Sequence, residues 1–449
     1  MYLNQQRVCK LEDDQGVNRH DRMLPLGFRI LWLGQLISNL GTQISLYALG
    51  LWLFRQHEQL VTFASIAVVV QLAKIAVMPL LGRYLARWSR RRVMLIANAV
   101  SSTATISLAF HLMRSSSSLA LVLVCVALAA AAEATLLLCF STLIPQLVSP
   151  SQLGRASGLF ASCDGAIVMA APFLGALLAA SAGLVGVLVI DGLSSLVAAV
   201  CTLAVALPQC SSQRIGLKQA GGVRSAVAQL WSATHLRPLL MINTVVAGVL
   251  AAVEVAFPAW VVSAFGVGRL GRAMALAGVA FLLGSQLWSR YWALREACTW
   301  VELLRRALLV QGFILAAAAL LAFQARVGVL VLIWFAGVSA YAMAVPLVLA
   351  SLQGLWQFHV PPQQQTSLFA GRYTLEWLAR LVALLGVGLL ADHVFSPALA
   401  RPGWPDWLLA VIGPGPGRSA ALVLGLLGWA MIVPVLVEWK ALGLSRNAI

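Results

Sequence analysis

Long apolar runs follow one another along this chain with only short breaks, each close to the roughly 20 residues that a helix needs to cross a bilayer. About a dozen begin near Phe28, Leu60, Val93, Leu119, Arg155, Gly183, Leu239, Leu270, Leu308, Val327, Ser367 and Ala420. They constrain the fold severely, because in lipid every backbone N–H and C=O must be satisfied within the protein. A helix does this alone. A membrane barrel needs strands that alternate apolar and polar residues, whereas these runs are continuous and rich in Leu, Ala and Gly. The chain therefore reads as an all-α membrane protein with the lipid bilayer as its first partner. Only 10% of its 449 residues are charged and its mean hydropathy is +0.88, against about 25% charged in an average soluble domain.

The formal net charge of +16 does not call for nucleic acid, since cytoplasmic loops of membrane proteins collect Lys and Arg. With the N-terminus inside, the inside breaks hold Arg83, Arg87, Arg90, Arg91 and Arg92, then Arg214, Lys218, Arg224 and Arg237, and later Arg290, Arg295, Arg305 and Arg306. The outside breaks hold scattered residues such as Arg55, Arg114 and Arg326. An even helix count then brings both termini to the cytoplasmic side of a bacterial inner membrane. No apolar h-region precedes the first long run, so a cleavable signal peptide is not expected. None of the seven cysteines forms a C-x-x-C pair, and neither a disulfide framework nor a metal site is expected.

The expected organisation is a cytoplasmic segment over 1–26, a six-helix half over 27–207, a polar linker over 208–236, a second six-helix half over 237–440 and a tail over 441–449. A faint internal echo supports duplication: Gly154-Arg155 opens the fifth run and Gly371-Arg372 the eleventh. Six plus six is the plan of a transporter whose halves rock about a central site. Five prolines between Ala391 and Arg418 forbid a continuous helix there, and Trp404 and Trp407 are expected at the membrane surface.

A charge at the bilayer centre costs about 2.5–3.5 kcal/mol on insertion scales and marks a functional-site hypothesis. Glu133 lies mid-run among alanines, and Glu254, Asp164, Lys74 and Asp191 also lie within apolar runs. Glu376 and Arg380 are spaced as an intrahelical ion pair, with Arg372 one turn earlier. Gln35, Asn39 and Gln43 share one face of the first helix, next to Thr42, and Trp260, Phe257, Trp334, Phe335 and Tyr341 are candidate aromatic walls. There is no P-loop, the histidines are scattered, and no enzyme constellation or cofactor is expected.

The break after the second run reads Gly82-Arg83-Tyr84-Leu85-Ala86-Arg87-Trp88-Ser89-Arg90-Arg91-Arg92. It resembles the signature loop of the major facilitator superfamily at Gly82, Arg87, Arg90 and Arg91. Ala86 replaces the family's Asp and Ser89 its second Gly, so the charge contacts of that Asp, which help lock the outward-open state, should be weakened or built differently. Phe28-Arg29-Ile30-Leu31-Trp32-Leu33-Gly34-Gln35, Leu153-Gly154-Arg155-Ala156 and Asp191-Gly192-Leu193-Ser194 resemble the macrolide-efflux-like and enterobactin-exporter-like branch. Ala171-Pro172-Phe173-Leu174-Gly175-Ala176 is similar in part to the fifth-helix motif of proton antiporters.

The resemblance implies twelve transmembrane helices in two pseudo-symmetric halves, with the first, fourth, seventh and tenth helices around a cavity. Glu133 would then face substrate, either as a proton or cation site or as a structural acid, with Glu254 of the seventh helix as a second proton-carrier candidate and Asp164 in reserve. Gln35, Asn39, Gln43 and Trp260 would line the cavity. Asp164 and Lys74 would pair between the second and fifth helices. The expected function is proton-coupled export, by a monomer, of an amphipathic small molecule such as an antibiotic, siderophore or peptide metabolite. The alternatives are a nutrient importer of the same fold, or a sensor or scaffold that transports nothing.

Overall fold

The computed structural model describes residues 24–57, 60–85, 88–114, 119–149, 152–207, 223–234, 236–265, 267–292, 297–321, 329–400 and 418–438. They form a helical bundle. The first helices are α1 (Leu26–His57), α2 (Leu60–Tyr84), α3 (Arg90–Arg114) and α4 (Leu119–Leu147). A continuous segment, Leu153–Ala204, breaks at Gly183 (φ 70°, ψ 170°) into two arms, α5 before the glycine and α6 after it. An L side chain would be strained at that backbone angle, so glycine is required for the chain to turn back there. A short linker helix, Val223–Ser232, precedes α7 (Arg237–Phe265), α8 (Val267–Leu287), α9 (Ala297–Leu321), α10 (Val329–His359), α11 (Pro362–Leu389) and α12 (Arg418–Glu438). A π-helical turn, Trp288–Trp292, extends α8, and another, Leu390–Phe395, extends α11.

Every expected run corresponds to one of these twelve helices. The largest difference is at α9, which starts at Ala297 rather than near Leu308. Its first turns are charged, but they stay helical because Glu302 accepts from Arg305 and Arg306, one turn away. Likewise α11 begins at Pro362, before the apolar run, with proline at its N-terminal turn where the missing N–H costs nothing. Among the described residues, eight segments are long and apolar enough to span a membrane by length and composition.

Neighbours within the bundle repeat with a shift of six helices. α3 packs on α4 as α9 packs on α10, α2 on α4 as α8 on α10, and α3 on α6 as α9 on α12. The halves meet in matched pairs too: α2 with α11 and α5 with α8. Close approach relies on small residues, as expected where lipid removes the hydrophobic drive between helices. Gly34 of α1 faces Cys201 of α6, and Gly41 faces Ser194 and Asp191. Large apolar side chains such as Leu80, Phe110, Leu203, Leu282, Phe313 and Leu332 point outward, the arrangement of a bundle solvated by lipid.

Candidate functional site

The two halves enclose a cavity of about 480 Å³. Its charged lining consists, among the described side chains, of Lys74, Glu133, Glu254 and Arg380. The polar face of α1 opens onto it through Gln35, Asn39 and Gln43, as the sequence leads one to expect, and α2 adds Gln71. Trp32, Phe140, Phe160 and Trp377 supply aromatic surface. Phe140 and Phe160 tie α4 to α5 at a centroid distance of 5.1 Å. An apolar cavity with a few polar groups is the ordinary form of a small-molecule site.

Glu133 is the focus of the N-terminal wall. Its Oε1 accepts from Lys74 Nζ at 2.9 Å and from Gln43 Nε2 at 3.2 Å. Its Oε2 has no hydrogen-bond partner although it is shielded, so the carboxylate keeps unused acceptor capacity. The two side chains of the pair are only 12% and 20% exposed. The surroundings are therefore poor in water and the attraction is weakly screened. Nearby, Thr42 of α1 donates to Asp191 of α6 at 3.0 Å, which brings a second acid to the polar edge of α1.

Lys74 pairs with Glu133 on α4, against which α2 packs directly; the side chain of Asp164, its expected partner, lies outside the described residues. The ammonium also lies 5.9 Å from the ring centroid of Trp377, on α11 in the other half. It thus serves an acid of its own half and an aromatic face of the opposite one, within the range of cation–π attraction.

On the C-terminal wall Arg380 reaches Glu254 of α7 at 3.4 Å, with 31% and 48% of the side chains exposed. The expected Glu376–Arg380 pair therefore does not form. Glu376 is taken from the other direction along the helix by Arg372, and it also accepts from Asn243 of α7. Arg372 is buried, donates to Gln353 Oε1 at 3.1 Å and sits among the rings of Trp356, Phe369 and Tyr373. Tyr373 stacks on Trp377 at 5.7 Å and 18°, so the aromatic column ends at the cavity. Trp260 is another correction: it is buried against Phe257 and Trp334, 6.0 Å from each, and is not among the cavity walls.

Of the signature-loop candidates, Gly82 faces Ala370 of α11. Arg90 is buried and donates to the Thr142 carbonyl at 2.8 Å, and Arg91 to that of Leu203. Arg87 lies outside the described residues. So do the proline-rich loop over 401–417, with Trp404 and Trp407, and most of both termini. Among the described residues no three His, Cys, Asp or Glu side chains gather as a metal site.

Sequence reasoning passed over Trp377, Phe140, Phe160 and Gln71. Trp377 carried a usable signal: it lies four residues after Tyr373 and three before Arg380, on the same helix face as the candidate charge Arg380.

A two-half helical bundle around a central cavity with buried charges defines a multi-pass secondary transporter for a small molecule. The chain belongs to the Major Facilitator Superfamily, whose family model matches residues 31–384. No curated protein matches it in sequence. Among solved structures it resembles a bacterial homologue of the iron transporter ferroportin in an outward-facing state, at 17% identity and TM-score 0.65, covering 91% of this chain and 99% of that one. It also resembles the proton:xylose symporter XylE bound to 6-bromo-6-deoxy-D-glucose, at 12% identity and TM-score 0.62, covering 92% and 94%. At such identities the likeness is one of fold.

Proposed function

We propose that this protein is a proton-coupled exporter of amphipathic small molecules (an antibiotic, siderophore or peptide metabolite), working as a monomer in a bacterial inner membrane with both termini in the cytoplasm. The observation that carries this reading is the shielded Lys74–Glu133 pair in the cavity wall, with the second carboxylate oxygen of Glu133 unpartnered. A proton arriving at Glu133 cancels the attraction for Lys74 and leaves the ammonium to Trp377 and to water. A substrate with a polar end meets Glu133, Gln43, Gln35 and Arg380, while its apolar body lies on Leu136, Leu137, Phe140 and Trp377. Proton and substrate then compete for one carboxylate, which is the requirement for exchange. Each can shift the balance of states only through a difference in its affinity for them. Glu254, more exposed and more loosely held, is a second proton carrier, and Asp164 stands in reserve.

The outward direction rests on the resemblance of the first, fifth and sixth helices to drug and siderophore exporters. The test is retention of labelled antibiotics and siderophores in pump-deficient bacteria, with and without the protein and before and after a protonophore. Lower retention that the protonophore abolishes is the expected outcome, and Glu133→Gln should remove it at matched expression. Higher retention would mean import. Normal coupled transport by Glu133→Gln would exclude Glu133 as the carrier.

A further inference from the structure

At the end of the bundle that holds the start of α5 and the end of α10, three hydrogen bonds between uncharged groups of the described residues join the halves. Gln357 of α10 is buried and makes two of them. Its amide donates from Nε2 to the Ser141 carbonyl of α4 at 3.2 Å, and its Oε1 accepts from the Ser157 hydroxyl of α5. Beside it, Trp288 donates from Nε1 to the Gly154 carbonyl at 3.2 Å. The indole is fully buried, tilted against Trp300 at 6.0 Å, and aimed by the π-helical turn that extends α8. Gly158 makes room for it, since a Cβ there would lie 1.6 Å from Trp288 Nε1. Two charged groups of the same end close within their own halves: Arg90 on Thr142, and Arg372 on Glu376 and Gln353.

We infer that Gln357 is a positioning residue of the transport cycle, the centre of an uncharged lock that holds this end shut. A primary amide suits the task because it presents a donor and an acceptor in opposite directions, here to two helices of the opposite half. Opening this end separates both partners from it, and exchanging a buried hydrogen bond for bonds to water gives up its net stabilisation. The lock therefore favours the state seen here. The inference requires that the halves alternate, and it is independent of what drives them and in which direction substrate moves.

The test is hydrogen–deuterium exchange, read by mass spectrometry on the full-length protein in lipid nanodiscs. Gln357→Ala should speed exchange over residues 153–158 and 284–292 by about three- to tenfold, the size expected for losing one or two buried hydrogen bonds. At the same time it should slow exchange over 46–53, at the opposite end of α1, because the population moves to the alternate state. Changes of opposite sign at the two ends are what a purely structural role would not produce. Ser157→Ala, which removes one partner and leaves α10 intact, should move both signals the same way by a smaller factor, and it carries the test if Gln357→Ala does not fold. Faster exchange at both ends, a change at one end only, or no change in either variant would overturn the proposal.

Discussion

The cavity and the closed end of this transporter are built from opposite materials. In the cavity each half contributes a full charge pair, Lys74–Glu133 from one and Arg380–Glu254 from the other. At the closed end the bridges between halves described above are an amide, a hydroxyl and an indole bonded to neutral acceptors. The difference teaches where a signal can enter. A charge pair responds to a proton or an ionic ligand, because either changes one partner's charge at once. An amide–hydroxyl bridge has nothing to titrate and responds only to being pulled apart. In the proposed cycle, sensing and holding are thereby divided between two places along the bundle.

The contrast can be broken most forcefully at Lys74. Lys74→Met leaves Glu133 without its cation in a shielded wall, and should destabilise the protein by about 3 kcal/mol, the lower end of the range for a broken buried pair because the two side chains keep some exposure. Thermal unfolding in detergent would show it, and the double variant Lys74→Met/Glu133→Gln should recover most of the loss. If the single variant melts like the wild type, the cavity pair is not the strong element it is taken to be. At the closed end Gly158→Ala forces Trp288 out of its notch, and over-packing of that kind costs about 1–3 kcal/mol. It should show as increased labelling of residues 153–158 from the predicted cytoplasmic face; unchanged labelling would mean that the indole does not define the contact.

Trp377→Leu keeps an apolar wall but removes the ring beneath Lys74, at about 0.5–2 kcal/mol. Its expected signature is a weakened response of transport to the proton gradient with little change in melting temperature. Smallest of all is Arg380→Gln: an ion pair this exposed contributes below about 1 kcal/mol, so stability should be unaltered within error while substrate affinity shifts. A large stability loss there would erase the distinction drawn between the two charge pairs.

The helices were legible because a bilayer demands a fixed length of apolar sequence, and this demand leaves a mark in every segment. Ends were less legible where a charged turn continues the helix, as at Glu302 and Arg305, since such turns look like loops when only hydropathy is read. Glu133 and Glu254 stood out as charges in apolar runs, and Gln35, Asn39 and Gln43 by their spacing. Their partners were not legible. That Lys74 reaches α4 depends on how closely α2 packs on it, and whether Glu376 turns to Arg372 or Arg380 depends on Asn243 and the aromatic column around it. Gln357, Ser157 and Gly158 had no signal of their own. Small and amide residues are common in membrane helices, and their role appears only when two halves are brought face to face.

The linker helix has a consequence for how the chain is strung. Ala226 and Leu230 are buried, and Gly371 of α11 leaves room for Ala226, while the Arg237 guanidinium covers Trp231 at 4.6 Å. The helix is therefore fastened to the second half and travels with it. Whatever distance the halves move must be spanned by the stretch between α6 and residue 223.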